Sequence, residues 1–149
     1  PMAVGLALGA RRQSMAWRTW CLLGDGECNE GSVWEAAMAA AHYRVTNLVT
    51  LVDRNRFMVD GGTEQVMALE PFADKWRSFG FAVREADGHS FAELSAAFDA
   101  AIAEASAPTV IIAHTVKGKG VDFMENDVRW HYGGLDSDML EKAKRRIDA

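Results

Sequence analysis

Two short apolar runs, each emptying into an oxygen-bearing residue, constrain this chain more than any other feature. Cys21-Leu22-Leu23 leads into Gly24-Asp25-Gly26, and Leu48-Val49-Thr50-Leu51-Val52 leads into Asp53-Arg54-Asn55. Runs of this kind suit buried strands, and the segment between them is long enough for a crossover helix, so the two strands are expected to lie parallel. Parallel strands send their carboxyl ends to one edge of the sheet, where open α/β sheets bind their ligands. Asp25 and Asn55, thirty positions apart in the chain, can therefore converge there. Two hard oxygen donors suit Mg²⁺ or Ca²⁺, and a Mg²⁺ held by few protein groups takes phosphate oxygens to complete its octahedron. Gly24 and Gly26 allow close backbone approach and leave N–H groups free at a helix start, which favours an anionic phosphate. The residues alone thus point to a metal–diphosphate site. The same residues admit a plainer role, with Asp25 capping a helix and Asn55 shaping a turn.

The rest of the chain alternates in the same manner. Helical spacing marks residues 2–13, which end in Arg11-Arg12, where cations favour a helix C-terminus. A first strand is expected over 17–23, an alanine-rich helix over 30–43, a second strand over 48–53 and a loop over 55–62 that turns at Asp60-Gly61-Gly62. A short helix over 70–79 has Pro71 near its first turn and Gly80 as its stop. A third strand over 81–85 precedes Ser90 and Glu93, which read as a capping box for a helix over 91–105 that buries Phe91, Leu94, Phe98 and Ile102. Pro108 sets off a fourth strand over 109–115. An irregular segment then runs to Gly134, and a helix over 136–147, capped by Asp136 or Ser137, closes the chain. This order predicts an α/β fold, a mainly parallel sheet flanked by helices, in one domain over residues 1–149.

Composition matters mainly for what it excludes. A chain of 149 residues, 49% hydrophobic, can fill one core. A net charge of −5 and a pI near 5.3 argue against a general nucleic-acid binder. The one basic cluster, Lys142, Lys144, Arg145 and Arg146, stands beside Glu141 and reads as a solvated helix face. No apolar run approaches the ~18–20 residues of a membrane span, and no signal peptide opens the sequence. Cys21 and Cys28 form neither a CxxC pair nor a disulfide framework; they read as packing thiols in a reducing cytoplasm. The sequence opens at Pro1 inside what reads as a helix under way, so an N-terminally incomplete domain is expected.

The wording GDGECNEGSVWEAAMAAAHY, then NLVTLVDRN, then TVKGKGVDFMEND and WHYGG resembles transketolases, specifically their N-terminal half, over nearly the whole chain. That resemblance implies a thiamine-diphosphate-binding fold and assigns roles. Asp25, Asn55 and the backbone carbonyl of Phe57 would ligate Mg²⁺, with Ca²⁺ as a possible substitute. Gly24, Asp25, Gly26 and Glu27 would surround the diphosphate, with Gly26 giving its N–H. His131 would contact the diphosphate and the substrate oxygens, and is the candidate for direct catalytic participation. Lys117, in the TVKGKG loop, would lie over the cofactor, and Glu30 would stand at a subunit interface. Glu30 has a plainer alternative as a first-turn glutamate favoured by the helix dipole, and His131 one as a loop histidine satisfied by backbone. His89, His42 and His114 read as structural.

The pyrimidine-binding domain of such enzymes is missing from these residues. The resemblance therefore implies a partner, a C-terminal transketolase subunit in an α2β2 heterotetramer, and transfer of a two-carbon ketol unit from a ketose, such as a sugar phosphate, to an aldehyde. Alternatives are the α subunit of a 2-oxoacid dehydrogenase, a specialised two-carbon transferase, or a non-catalytic scaffold. A receiver-like signalling module is imitated by Asp25, Asp53 and Lys117, but its acids would not follow adjacent strands. P-loop and dinucleotide fingerprints are absent.

Overall fold

The computed structural model describes residues 1–147. Its elements run α1 (Met2–Arg12), β1 (Thr19–Gly24), α2 (Gly31–His42), β2 (Leu48–Arg54), β3 (Phe57–Met58), β4 (Gly61–Gly62), α3 (Thr63–Val66), α4 (Phe72–Ser78), β5 (Ala82–Asp87), α5 (Phe91–Ala103), β6 (Thr109–His114) and α6 (Ser137–Ile147). Short 3-10 turns occupy Gly26–Asn29 and Val128–His131.

Four strands make one parallel sheet in the order β1-β2-β6-β5. The alternation of side chains along each strand sorts its residues onto two faces. Leu48 and Val52 of β2, with Val110 and Ile112 of β6, meet Val4 and Ala7 of α1, Ala37 and Ala40 of α2, and Phe72 and Trp76 of α4. Val49 and Ile111 point the other way, toward Ala97 and Ala101 of α5. The sheet is thus flanked by helices on both faces, as the alternating pattern predicts. Central strands buried on both sides explain why β2 and β6 read as unbroken apolar runs.

Several local expectations need correction. The stripe assigned to α5 is displaced: Phe91 is 90% exposed and Ile102 is also exposed, while Ala97 and Ala101 are the buried residues and Leu94 and Phe98 pack at their margin. Small side chains let that helix sit close to the sheet, so the contact line follows the alanines. Ser90 does accept the Glu93 N–H at 3.3 Å, yet the Glu93 carboxylate takes the Asp87 N–H at 2.8 Å instead of returning to Ser90. The region 55–62, read as a plain loop, holds the β3–β4 hairpin, and α3 follows it in a stretch for which no element is expected. Pro71 is the N-cap of α4, one position ahead of its first turn. Asp136 caps α6 by accepting the Met139 N–H at 2.8 Å. No helix among the described residues is long and apolar enough to cross a membrane.

Candidate functional site

Register brings the two strand ends together. Gly24 of β1 is the partner of Asp53 of β2, and the Asp25 N–H donates to the Asp53 carbonyl at 3.1 Å. Asp25 is fully buried. Its Oδ1 accepts the Gly26 N–H at 2.8 Å, and its Oδ2 accepts both the Arg56 N–H at 2.6 Å and Arg54 Nη1 at 2.9 Å. Asn55 is fixed from both ends of its amide: Oδ1 accepts the Phe57 N–H at 2.9 Å and Nδ2 donates to Asp53 Oδ2 at 3.0 Å. The other Asp53 oxygen accepts the Thr115 hydroxyl, so both oxygens of Asp53 are engaged.

A cavity of about 600 Å³ opens at this edge and is lined by Gly24, Asp25, Gly26, Glu27, Glu30, Asn55, Phe57, Met58, Val59, Asp60 and His131. Its two sides come from segments far apart in sequence, the strand ends and the 3-10 turn that ends at His131. That turn is braced by Asp127, which accepts the Arg129 N–H at 2.9 Å, and by Trp130, whose indole N–H donates to the Phe123 carbonyl at 2.8 Å. Lys117 is not among the lining residues. Glu30 is the N-cap of α2 and makes no side-chain cap bond. Glu27 turns back, its Oε2 accepting the Gly24 N–H at 2.6 Å.

The donors at the strand ends are hard, the Asp25 carboxylate and the Asn55 amide oxygen with the neighbouring backbone carbonyls, while Met58 and His131 line the same cavity. Among the described residues there is no cluster of three or more His, Cys, Asp or Glu side chains that would cage a metal by themselves. Such a set fits a hard divalent cation whose remaining ligands are phosphate or water oxygens, and does not fit zinc. Cys28 lies buried beside the site, and its thiol is pushed up to about 12 by burial and then by the nearby Asp25 and Glu27 charges. A thiol held protonated in this way is a packing group.

Gly26 has a steric reason to be glycine. A Cβ there would sit 2.8 Å from Met58 Cβ, so the 3-10 turn and the β3–β4 hairpin can touch only without it. Gly26→Ala is expected to cost about 1–3 kcal/mol through overpacking. A urea melt unchanged from the parent would show that the hairpin yields freely.

The sequence reading missed what surrounds Arg54. This residue, 1% exposed at the end of β2, also bonds Thr63 Oγ1 at 2.8 Å and Oε1 of both Glu64 and Glu70 at 2.9 Å. The available signal was a charged residue closing an apolar strand, since a buried guanidinium must find acceptors. Burial alone would lower the Arg54 pKa, but the bonds to Glu70, Asp25 and Glu64 outweigh it and hold the pKa raised. Glu70 is held below the usual glutamate range by the Phe72 N–H and then by Arg54. Glu64 is lowered too: desolvation opposes the shift, and the Leu69 N–H and Arg54 overcome it. Groups lowered on folding stabilise fully above the unfolded glutamate value of about 4.3 and lose that contribution as pH falls through their native values. Glu70→Gln is therefore expected to melt below the parent at pH 7, with the gap closing as pH falls under about 4.3. A gap that widens in acid would contradict this.

Residues 11–148 match the family described as transketolase, thiamine diphosphate binding domain. The chain is 40% identical to an apulose-4-phosphate transketolase subunit of Phocaeicola vulgatus, over 98% of this chain and 52% of that protein. It is 36% identical to a 6-deoxy-6-sulfo-D-fructose transketolase subunit of Clostridium sp., over 98% of this chain and 53% of that one. The crystal structure of transketolase from Campylobacter jejuni superposes with a TM-score of 0.91 at 27% identity, covering 98% of this chain and 24% of that structure. The chain thus spans about half the length of the two subunit relatives.

Proposed function

Since this chain belongs to the transketolase family, through its thiamine-diphosphate-binding domain, we propose that it is the N-terminal subunit of a split transketolase, active with a partner subunit that carries the pyrimidine-binding domain. The observation that carries this reading is the cavity at the carboxyl ends of β1 and β2, which gathers Asp25, Gly26, Asn55, Phe57 and His131. Two subunit relatives that are themselves about twice as long as this match support the split arrangement. We extend this to an α2β2 assembly, with Glu30 at a subunit contact.

In this reading Asp25, the Asn55 side-chain oxygen and the Phe57 carbonyl would hold Mg²⁺, or Ca²⁺ in its place, while the Gly26 N–H, which donates to Asp25 Oδ1 in this structure, would turn to the diphosphate when it binds. Thiamine diphosphate, when bound, supplies the carbon nucleophile and electron sink for moving a two-carbon ketol unit from a ketose to an aldehyde; the protein's share is binding, orientation and electrostatics. Gly24 and Gly26 keep the backbone low enough for the diphosphate to approach. Glu27, whose carboxylate accepts the Gly24 N–H, fixes the start of the turn that carries Asp25 and Gly26. His131 would hold or transfer a proton at a substrate oxygen. Lys117 would act from the loop after β6 at the rim of the assembled site. The compartment we assign is the cytoplasm, where Cys21 and Cys28 stay reduced, and the role is in carbohydrate metabolism.

The test is calorimetric titration of thiamine diphosphate with Mg²⁺, on this chain alone and with the partner subunit. Binding that is tight only with the partner is the expected result. No binding in either case would remove the enzyme reading and leave a scaffold.

A further inference from the structure

Arg54 raises a physical problem for the site just described. A cation whose Nη1 lies 2.9 Å from Asp25 Oδ2 would compete with a divalent metal for the charge of that carboxylate. The structure meets this with two further acids. Nη2 bonds Glu64 and Glu70, each at 2.9 Å, and the guanidinium carbon lies 5.5 Å from the centroid of the Phe72 ring. Three carboxylates around one guanidinium leave the cluster net negative, so Arg54 does not cancel the charge of Asp25 by itself.

The two glutamates are themselves fastened. Glu64 Oε1 accepts the Leu69 N–H at 3.1 Å, and Glu70 Oε2 accepts the Phe72 N–H at 2.8 Å. Arg54, at the end of β2, thus ties Asp25 at the end of β1 to α3 and the α3–α4 connection. A planar fork with five N–H donors can serve four acceptors at once, and a lysine cannot.

We propose that Arg54 is a positioning residue for the metal–diphosphate site, fixing one oxygen of Asp25 while Glu64 and Glu70 supply the countercharge that leaves Asp25 able to bind a divalent cation. This rests on the reading of Asp25 as a metal ligand. A consequence is that metal binding at Asp25 is felt at residues 63–70, which share the same guanidinium.

The experiment compares Asp25→Asn, Arg54→Lys, Glu64→Gln and Glu70→Gln in the enzyme assembled with its partner subunit. It measures the Mg²⁺ concentration that half-saturates thiamine diphosphate binding, and amide exchange over residues 63–70 with and without Mg²⁺. Groups that orient a metal ligand typically matter about 10–100-fold in metal affinity. Arg54→Lys and Glu70→Gln are each expected to raise the half-saturating Mg²⁺ about 10-fold, and Mg²⁺ should slow exchange over 63–70 in the parent but not in Glu70→Gln. Arg54→Lys keeps the charge and loses the fork, so parent-like Mg²⁺ affinity in that variant would overturn positioning. If Arg54→Lys does not fold, parent-like affinity and exchange in both glutamine variants overturn it equally, as does a melting point lowered alike with and without Mg²⁺. An Asp25→Asn variant with parent-like Mg²⁺ dependence would instead bring down the metal assignment itself, and this proposal with it.

Discussion

Asp25→Asn is expected to weaken Mg²⁺-dependent binding of thiamine diphosphate by more than about 100-fold, beyond the ~10–100-fold typical of residues that only orient a ligand. The substitution keeps the shape of the side chain and removes its charge, in a position with no solvent to compensate. Asp25→Ala should do the same and unfold more easily as well. The Gly26 and Arg56 N–H groups and Arg54 would all lose their acceptor together. Removing one partner of a buried ion pair costs about 3–5 kcal/mol when the other charge is left unpaired; Arg54 keeps Thr63, Glu64 and Glu70, which places the expected loss at the lower end of that range. Calorimetry of the assembled enzyme reads the first effect, and urea melts of the metal-free chain read the second. An alanine variant that melts with the parent would mean that Asp25 is not balanced by Arg54.

The second large effect is expected at His131. Positioned acid–base groups contribute about 10²–10⁴-fold to rate, so His131→Ala should lower kcat in that range while thiamine diphosphate still binds. The fold should tolerate the change, because the turn carrying His131 is braced by Asp127 and Trp130, whose contacts do not involve the imidazole. Steady-state kinetics with the partner subunit checks it, and a kcat within about twofold of the parent would remove His131 from proton transfer, well below the usual acid–base range.

The layout of the sheet was legible because β2 and β6 are apolar on both faces, and because Gly24-Asp25-Gly26 and Asp53-Arg54-Asn55 mark where strands end. Asp25 and Asn55 were legible as neighbours from the strand ends alone, but His131 joined them only through wording shared with a family, since nothing local in residues 127–134 says which cavity they reach. The Arg54 network was not legible. Its partners Glu64 and Glu70 lie where no hydrophobic period exists, and their meeting depends on the β3–β4 hairpin folding back. Large apolar side chains also misled the reading of α5, where Phe91 lies open and Ala97 and Ala101 make the contact. Lys117 had only the likeness of its loop to place it, and it stands apart from the cavity.

The pairing of Gly24 with Asp53 across neighbouring strands has a consequence for how such sites vary. Ladder hydrogen bonds hold Asp25 beside Asn55, while the interval of thirty positions records the lengths of the 3-10 turn, α2, the turn at 43–47 and β2. An insertion in the turn at 43–47 would lengthen that interval and leave the cavity unchanged, because the turn lies at the opposite edge of the sheet. A pattern search tied to a fixed interval would pass over that protein, although its chemistry would be the same. One residue added within β1, which precedes both, would leave the interval unchanged and turn Asp25 to the other face of the sheet.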